Sequence, residues 1–219
     1  MSSESEIRDG NAAFELIETL RWEPTAGFVR LDRHLGRLYA SAHELGFPCD
    51  PVKLGETLRE GIGDRVPLRA RLTLAQNGAL KCVTEPFAPV EAGTEWTLRI
   101  AKTRLDANDP LLRHKTTRRQ VYDAARAEFS RDEADEVILL NGDGQVCEGT
   151  ITNFFVDRGD GVLLTPRLEC GLLPGVLRGE LLETGRATEA ILAPNDLRGA
   201  KAVFVGNSLR GLIRARLAP

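Results

Sequence analysis

Arg113-His114-Lys115-Thr116-Thr117-Arg118-Arg119 is the stretch on which the reading of this chain turns. Downstream, Val146-Cys147-Glu148-Gly149-Thr150-Ile151-Thr152-Asn153-Phe154-Phe155 answers it. The first stretch offers an amine at the expected mouth of a helix. Thr116 or Thr117 can cap that helix, and Val121, Ala125 and Phe129 follow at spacing of four. The second stretch offers a carboxylate on an expected strand. A free amine can attack a carbonyl carbon, and an acid can hold a proton on a nitrogen. Taken alone, a lysine beside threonines reads as a solvated residue. Glu148, between Cys147 and Gly149 in an apolar run, reads as a part-buried acid that needs a cationic partner, an arginine being the plain choice.

Composition narrows the classes. A chain of 219 residues that is 42% hydrophobic can bury a sizeable core, as one large domain or two small ones. With a formal net charge of -3 and arginines spread along the chain, there is no basic field for nucleic acid or anionic lipid. No apolar run approaches a membrane span. The polar, acidic start Met1-Ser2-Ser3-Glu4-Ser5-Glu6 does not read as an export leader. Cys49, Cys82, Cys147 and Cys170 lie far apart, and no two histidines have ligand spacing, so no metal site is expected. Scattered cysteines without a leader predict reduced thiols in a cytoplasmic protein.

Working outward from the two stretches, residues 1–10 read as disordered. A strand over residues 14–22, with Phe14, Leu16, Leu20 and Trp22 alternating, turns at residues 23–27 and returns over 28–31. Asp32 is expected to cap a helix to Leu45, with Leu35, Leu38, Ala42 and Leu45 on one face. Arg33, Arg37 and Glu44 fall on its polar side, and His34 borders the stripe as a packed, hydrogen-bonded residue. Gly46 stops this helix, and a shorter one covers residues 52–60. Asn77-Gly78 predicts a hairpin joining residues 66–75 to 79–86. A strand over 96–103 precedes the turn-rich residues 105–110. The chain is divided there, into a small N-terminal α+β domain (1–106) and a larger C-terminal domain (107–219). Strands are expected at 136–140, around Glu148, at 153–157, 162–165, 187–192, 202–206 and 212–217. Between them, Pro174 opens a helix bearing Leu177, Leu181 and Leu182 that Gly185 ends. The backbone N–H groups at Gly175 could cradle a phosphate, and Asn207-Ser208 could add donors.

These segments, in order, resemble the class IV pyridoxal-phosphate (PLP) family. It holds the branched-chain and D-amino-acid aminotransferases and the 4-amino-4-deoxychorismate lyases. The resemblance is carried by residues 14–21, by Leu31-Asp32-Arg33-His34-Leu35-Gly36-Arg37-Leu38 with Ser41-Ala42, and by His114-Lys115-Thr116-Thr117. It continues through Cys147-Glu148-Gly149-Thr150 with Asn153, Leu164-Thr165-Pro166, Gly171-Leu172-Leu173-Pro174-Gly175-Val176-Leu177-Arg178 and Asn207-Ser208-Leu209-Arg210-Gly211. It implies an α+β, D-amino-acid aminotransferase-like fold (fold type IV) of two domains with PLP in the cleft, as a homodimer whose partner completes each site. It implies Lys115 as the Schiff-base lysine and Glu148 as partner of the pyridine nitrogen, with Asn153 beside it. Arg37, Gly175, the backbone of Val176 and Leu177, and Asn207-Ser208 are implied at the cofactor phosphate.

Residues 14–22 and 114–122 resemble the lyase domain often fused to aminodeoxychorismate synthase component I. That implies release of pyruvate and 4-aminobenzoate, for folate synthesis, from a small amino-bearing carboxylate. Lys115 would move the proton while Glu148 keeps the ring nitrogen protonated. Arg21, Arg69, Arg71 and Arg104 are candidate carboxylate binders. The family's opening strand before residue 14 has no counterpart in this reading, and no synthase domain is seen. Rival readings are a class IV amino-acid aminotransferase and a non-catalytic dimerisation module of the same fold. The intact Lys115 and Glu148 speak against the second.

Overall fold

The computed structural model describes residues 13–63 and 65–218. The stretch expected to be disordered, residues 1–10, lies outside them, as does any strand before residue 14.

Two sheets organise the chain, and the expected α+β class holds. The first is antiparallel, in the order β2-β1-β3-β4, from β1 (Leu16–Glu23), β2 (Gly27–Phe28), β3 (Leu68–Leu74) and β4 (Leu80–Pro86). In β3, Leu68, Ala70, Leu72 and Leu74 are buried and the alternate residues less so. Period two therefore turns Arg69, Arg71 and Thr73 to the opposite face. Against the apolar face pack helices α1 (Leu31–Leu45) and α2 (Pro51–Glu60). Leu16, Leu20, Leu38, Ala42, Leu54 and Leu58 fill the core between them. Each such leucine contributes about 1.5–3 kcal/mol by leaving water.

Helix α1 is capped differently from the expectation. Arg30, not Asp32, is the N-cap, in the left-handed region at φ 57°, so the returning strand shrinks to two residues. The Arg30 guanidinium is ion-paired with Glu180 at 2.7 Å. Asp32 instead sits in the first turn, where a carboxylate complements the helix dipole. Gly46, at φ 72°, ends the helix as expected.

The second sheet has eight strands in the order β10-β9-β8-β11-β12-β5-β6-β7. They are β5 (Glu95–Leu105), β6 (Glu136–Asn141), β7 (Val146–Gly149), β8 (Asn153–Asp157), β9 (Leu163–Pro166), β10 (Ala187–Ala190), β11 (Ala202–Asn207) and β12 (Gly211–Leu217). The sequence reading placed β5 in the N-terminal part. It pairs instead with β12 and β6, so the change of sheet falls between Pro86 and Glu95, ahead of the break at residue 106. Buried β6 feeds two cores from alternate faces. Ile138 and Leu140 join Leu98, Phe154 and Val205, while Val137 and Leu139 join Ala101, Leu105 and Cys147. Helices α3 (Gln120–Ala127), α4 (Val176–Glu183) and α5 (Pro194–Arg198) complete the chain. The last was not expected; its start is secured by Asp196, which accepts the Ala193 N–H at 2.8 Å. Among the described residues, no helix is long and apolar enough to cross a membrane.

Candidate active site

Where the two sheets meet there is a cavity of about 650 Å³. Strand alternation decides what the first sheet shows it. Ile17 and Thr19 of β1 and Arg69 and Arg71 of β3 line it, with Thr19 directly opposite Arg71 in the antiparallel register. Arg37, Lys115, Glu148, Asn153, Gly175, Val176, Asn207 and Ser208 border the same space. The Leu177 side chain does not; it packs with Phe155 and Leu181, and only its backbone lies near the opening of α4.

Lys115 is not at a helix mouth. Residues 115–117 are extended and dock on the open N-terminal end of β1. Ile17 donates to the Lys115 carbonyl at 2.8 Å, and Thr117 donates to the Glu15 carbonyl at 2.9 Å. Of the threonines expected to cap α3, Thr117 is used here, its Oγ1 accepting the Glu15 N–H at 2.9 Å, while Thr116 Oγ1 accepts the Arg118 N–H at 3.2 Å. The helix therefore starts only at Gln120. His114, against Ser41 at 3.0 Å, ties the segment to α1. Lys115 keeps some accessible surface because it borders the cavity, but protein surrounds the amine densely. That burial, reinforced by the Arg37 charge and opposed by Glu18, pushes its pKa down to about 8.

Glu148 is 4% exposed. Tyr122 donates to it at 2.7 Å, the Leu173 N–H at 3.1 Å and Asn153 Nδ2 at 3.5 Å. These partners are neutral, so the arginine of the plain reading is absent from its hydrogen bonds. Burial accordingly pushes the carboxyl up to about 7, despite these bonds and the Lys115 charge. The turn between Glu148 and Asn153 is clamped from behind by Glu136. This buried carboxylate accepts the Thr150 and Ile151 N–H groups, both at 3.1 Å, and the Thr152 hydroxyl at 2.9 Å. On the cavity side, Arg119 donates to the Thr150 carbonyl and Asn207 Nδ2 to the Ile151 carbonyl at 3.0 Å.

At α4, the N-cap is Gly175 rather than Pro174 the first helical residue, because the backbone stays extended through Gly175. No side chain caps the helix, so its first N–H groups face the cavity end that Gly175 and Val176 line. A Cβ on Gly175 would fall 1.7 Å from Asn153 Oδ1. Gly175→Ala therefore displaces Asn153 from its bonds to Leu173 and Glu148. We expect a loss of about 1–3 kcal/mol in unfolding free energy, partly recovered in Gly175→Ala/Asn153→Ala; a thermal melt unchanged by the single substitution would refute the clash.

Arg37 is not a solvated face residue. Its side chain is 13% exposed and holds Glu18 through Nε at 2.8 Å and Nη2 at 2.7 Å. Nη1 donates to the Pro174 carbonyl at 3.1 Å. His34, buried as expected, lies between Glu18 and Ser208. Of the four candidate carboxylate binders, Arg69 and Arg71 reach the cavity. Arg21 pairs with Glu23 and lies over the Phe87 ring, and Arg104 turns back on its own strand's carbonyls. Arg118, Arg119 and Arg210 line the cavity without having been singled out as carboxylate binders. Glu18, Tyr122 and Glu136 were also missed. For Glu18 a signal existed: it takes the core-facing parity of β1, between Leu16 and Leu20. Among the described residues, no group of three or more His, Cys, Asp or Glu side chains could hold a metal ion.

The family model described as amino-transferase class IV matches residues 15–218. A relative from Schizosaccharomyces pombe, provisionally named an aminodeoxychorismate lyase, is 31% identical over 193 residues, 85% of this chain and 83% of its own. A solved structure from Mesorhizobium loti, provisionally named an amino-acid aminotransferase, is 59% identical. It superposes with a TM-score of 0.92 over 94% of this chain and 100% of its own. The 4-amino-4-deoxychorismate lyase from Pseudomonas aeruginosa is 26% identical with a TM-score of 0.75, over 93% of this chain and 82% of its own.

Proposed function

We propose, from the premise that this chain belongs to the class IV aminotransferase family, that it is a 4-amino-4-deoxychorismate lyase releasing pyruvate and 4-aminobenzoate. Enzymes of this family depend on PLP, and the cavity fits that cofactor on three counts. Lys115 offers an amine whose pKa is lowered to about 8, so a useful fraction is neutral near pH 7. Glu148 is a buried acid without a basic hydrogen-bond partner, suited to a ring nitrogen. The uncapped start of α4, with Arg37 and Ser208 on the same cavity, suits a phosphate.

Bound PLP supplies the electron sink that lowers the barrier to removing a proton from the substrate carbon bearing the amine. Lys115 Nζ would take that proton. Glu148 would keep a proton on the ring nitrogen, and Tyr122 and the Leu173 N–H hold its carboxylate in line.

The observation that carries the lyase reading is the charge of the cavity wall. Among the described residues, Arg69, Arg71, Arg118, Arg119 and Arg210 line it beside Arg37, against only Asp109 and Glu148 of opposite sign. Arg210 is desolvated and held down further by the charge of Arg69. Such crowding of guanidinium groups suits a dianion. Aminodeoxychorismate carries two carboxylates, one kept in 4-aminobenzoate and one leaving in pyruvate. A branched-chain substrate brings one carboxylate and an aliphatic tail, which this wall does not match. Each charge-assisted hydrogen bond contributes about 1.5–3 kcal/mol.

The 59% identity to the M. loti protein favours a second reading, an amino-acid aminotransferase. Incubating PLP-loaded protein with aminodeoxychorismate and following 4-aminobenzoate separates the two. The lyase yields the aromatic product together with pyruvate and needs no added keto-acid acceptor. If none forms while an amino acid converts the cofactor to its pyridoxamine form, the transaminase reading replaces it. A homodimer, carried over from the family resemblance, belongs to the same proposal and is tested by sedimentation.

A further inference from the structure

Resting on the cofactor reading above, we infer that Glu18 is a positioning residue for the phosphate end of the cavity. It would set Arg37 directly and the Ser208 hydroxyl through His34. Glu18 is 1% exposed, on the core face of β1, and it does not touch the cavity. An acid there costs several kcal/mol unless its charge is answered. Its hydrogen bonds come from two residues of α1. Arg37 gives both oxygens a hydrogen bond, at 2.8 and 2.7 Å, and His34 Nδ1 lies 2.6 Å from Oε2. Burial alone would raise the carboxyl, but the Arg37 charge and the bonds from His34 and Arg37 outweigh it and hold it at about 2. Glu18 is therefore ionised at neutral pH and can only accept.

Two consequences follow for the groups that do line the cavity. Because the carboxylate only accepts, the His34 proton facing it sits on Nδ1. That fixes the ring, and its Nε2 meets Ser208 Oγ at 2.8 Å. Ser208 lies 174 residues from His34 in sequence, after the end of β11, so this bond ties the second sheet's loop to α1. The guanidinium of Arg37 has five N–H groups. Three are committed to Glu18 and the Pro174 carbonyl, which leaves two for an anion in the cavity that it borders. Glu18 thus neutralises Arg37 and converts it from a mobile charge into an oriented pair of donors. Pre-ordered donors bind an anion without further side-chain ordering.

The test compares PLP with pyridoxal, which lacks the phosphate. In titrations of the cofactor-free protein, Glu18→Gln is expected to weaken PLP by about 10- to 100-fold and to change pyridoxal by less than about twofold. Ser208→Ala removes one hydroxyl from the wall and should reduce the same PLP-to-pyridoxal ratio by about tenfold. The double variant should lose less than the product of the singles, because both act through His34. Equal weakening of both cofactors in Glu18→Gln would mean a general packing role and overturn the inference, as would additive effects in the double. If Glu18→Gln does not fold, an unchanged ratio in Ser208→Ala overturns it alone. Failure of the wild type to bind PLP would instead strike the cofactor reading.

Discussion

Lys115→Ala protein should purify colourless, bind PLP only reversibly and turn over no faster than about 10⁻⁴ of the wild-type rate. In the proposed function one amine would serve as covalent anchor and as proton carrier, so its loss would remove both roles. The fold should survive. Residues 115–117 are held on β1 by main-chain bonds, which the substitution leaves intact. Borohydride treatment should fix the cofactor to the wild type and not to the variant. A variant that retains a borohydride-stable adduct and near wild-type turnover would sink the assignment. The amine also dictates a pH profile. Only the neutral form attacks an aldehyde, and burial lowers its pKa to about 8. Cofactor attachment to the apoprotein should therefore accelerate as pH rises towards 8 and level off above it. A midpoint in the ordinary lysine range would show that the amine is solvated.

Glu148→Gln should keep PLP bound and lower kcat by about 10²- to 10³-fold. The amide is nearly isosteric and can still accept from Tyr122 and the Leu173 N–H through its oxygen. It cannot keep a proton on the ring nitrogen. The cofactor-free variant should not be destabilised at pH 8. The folded carboxyl has a raised pKa, about 7, so the folded protein holds a proton that the unfolded chain releases from 4.5 upward. Its contribution to stability is present below that range and lost as pH rises through 7. At pH 8 the ionised acid is a burden that glutamine does not carry. Calorimetry at pH 8 showing a large loss of stability would mean that the carboxylate is held by a charge partner.

Local patterns in the sequence determined most of the elements, α5 and the start of α3 excepted. Alternation of Leu68, Ala70, Leu72 and Leu74 specifies a strand with one wet face, and Asn77-Gly78 specifies the hairpin that follows. The helical stripe of α1 and its Gly46 stop are equally local, because each is set by residues three or four apart. The chemistry-bearing pair, Lys115 and Glu148, was legible as residue types set among neighbours that resemble a known family.

Only the tertiary structure decided what those residues face. The extended run through Lys115 exists because residues 15–17, about a hundred positions earlier, offer free main-chain groups. Nothing within one turn of Lys115 announces that, so its threonines read as helix caps. Arg37 lies at a polar helical position, where the pattern alone suggests a solvated side chain and only the family resemblance points to the phosphate. Arg37 is buried because a second charge, Glu18, occupies a core position on the strand that α1 covers. Sheet membership of β5 was misread for the same reason, since parallel pairing with β6 and β12 leaves no mark at short range. A periodic pattern tells which face of an element avoids water. Which partner covers that face is settled by burial summed over the whole chain, and a buried ion pair forms only where packing brings both charges together.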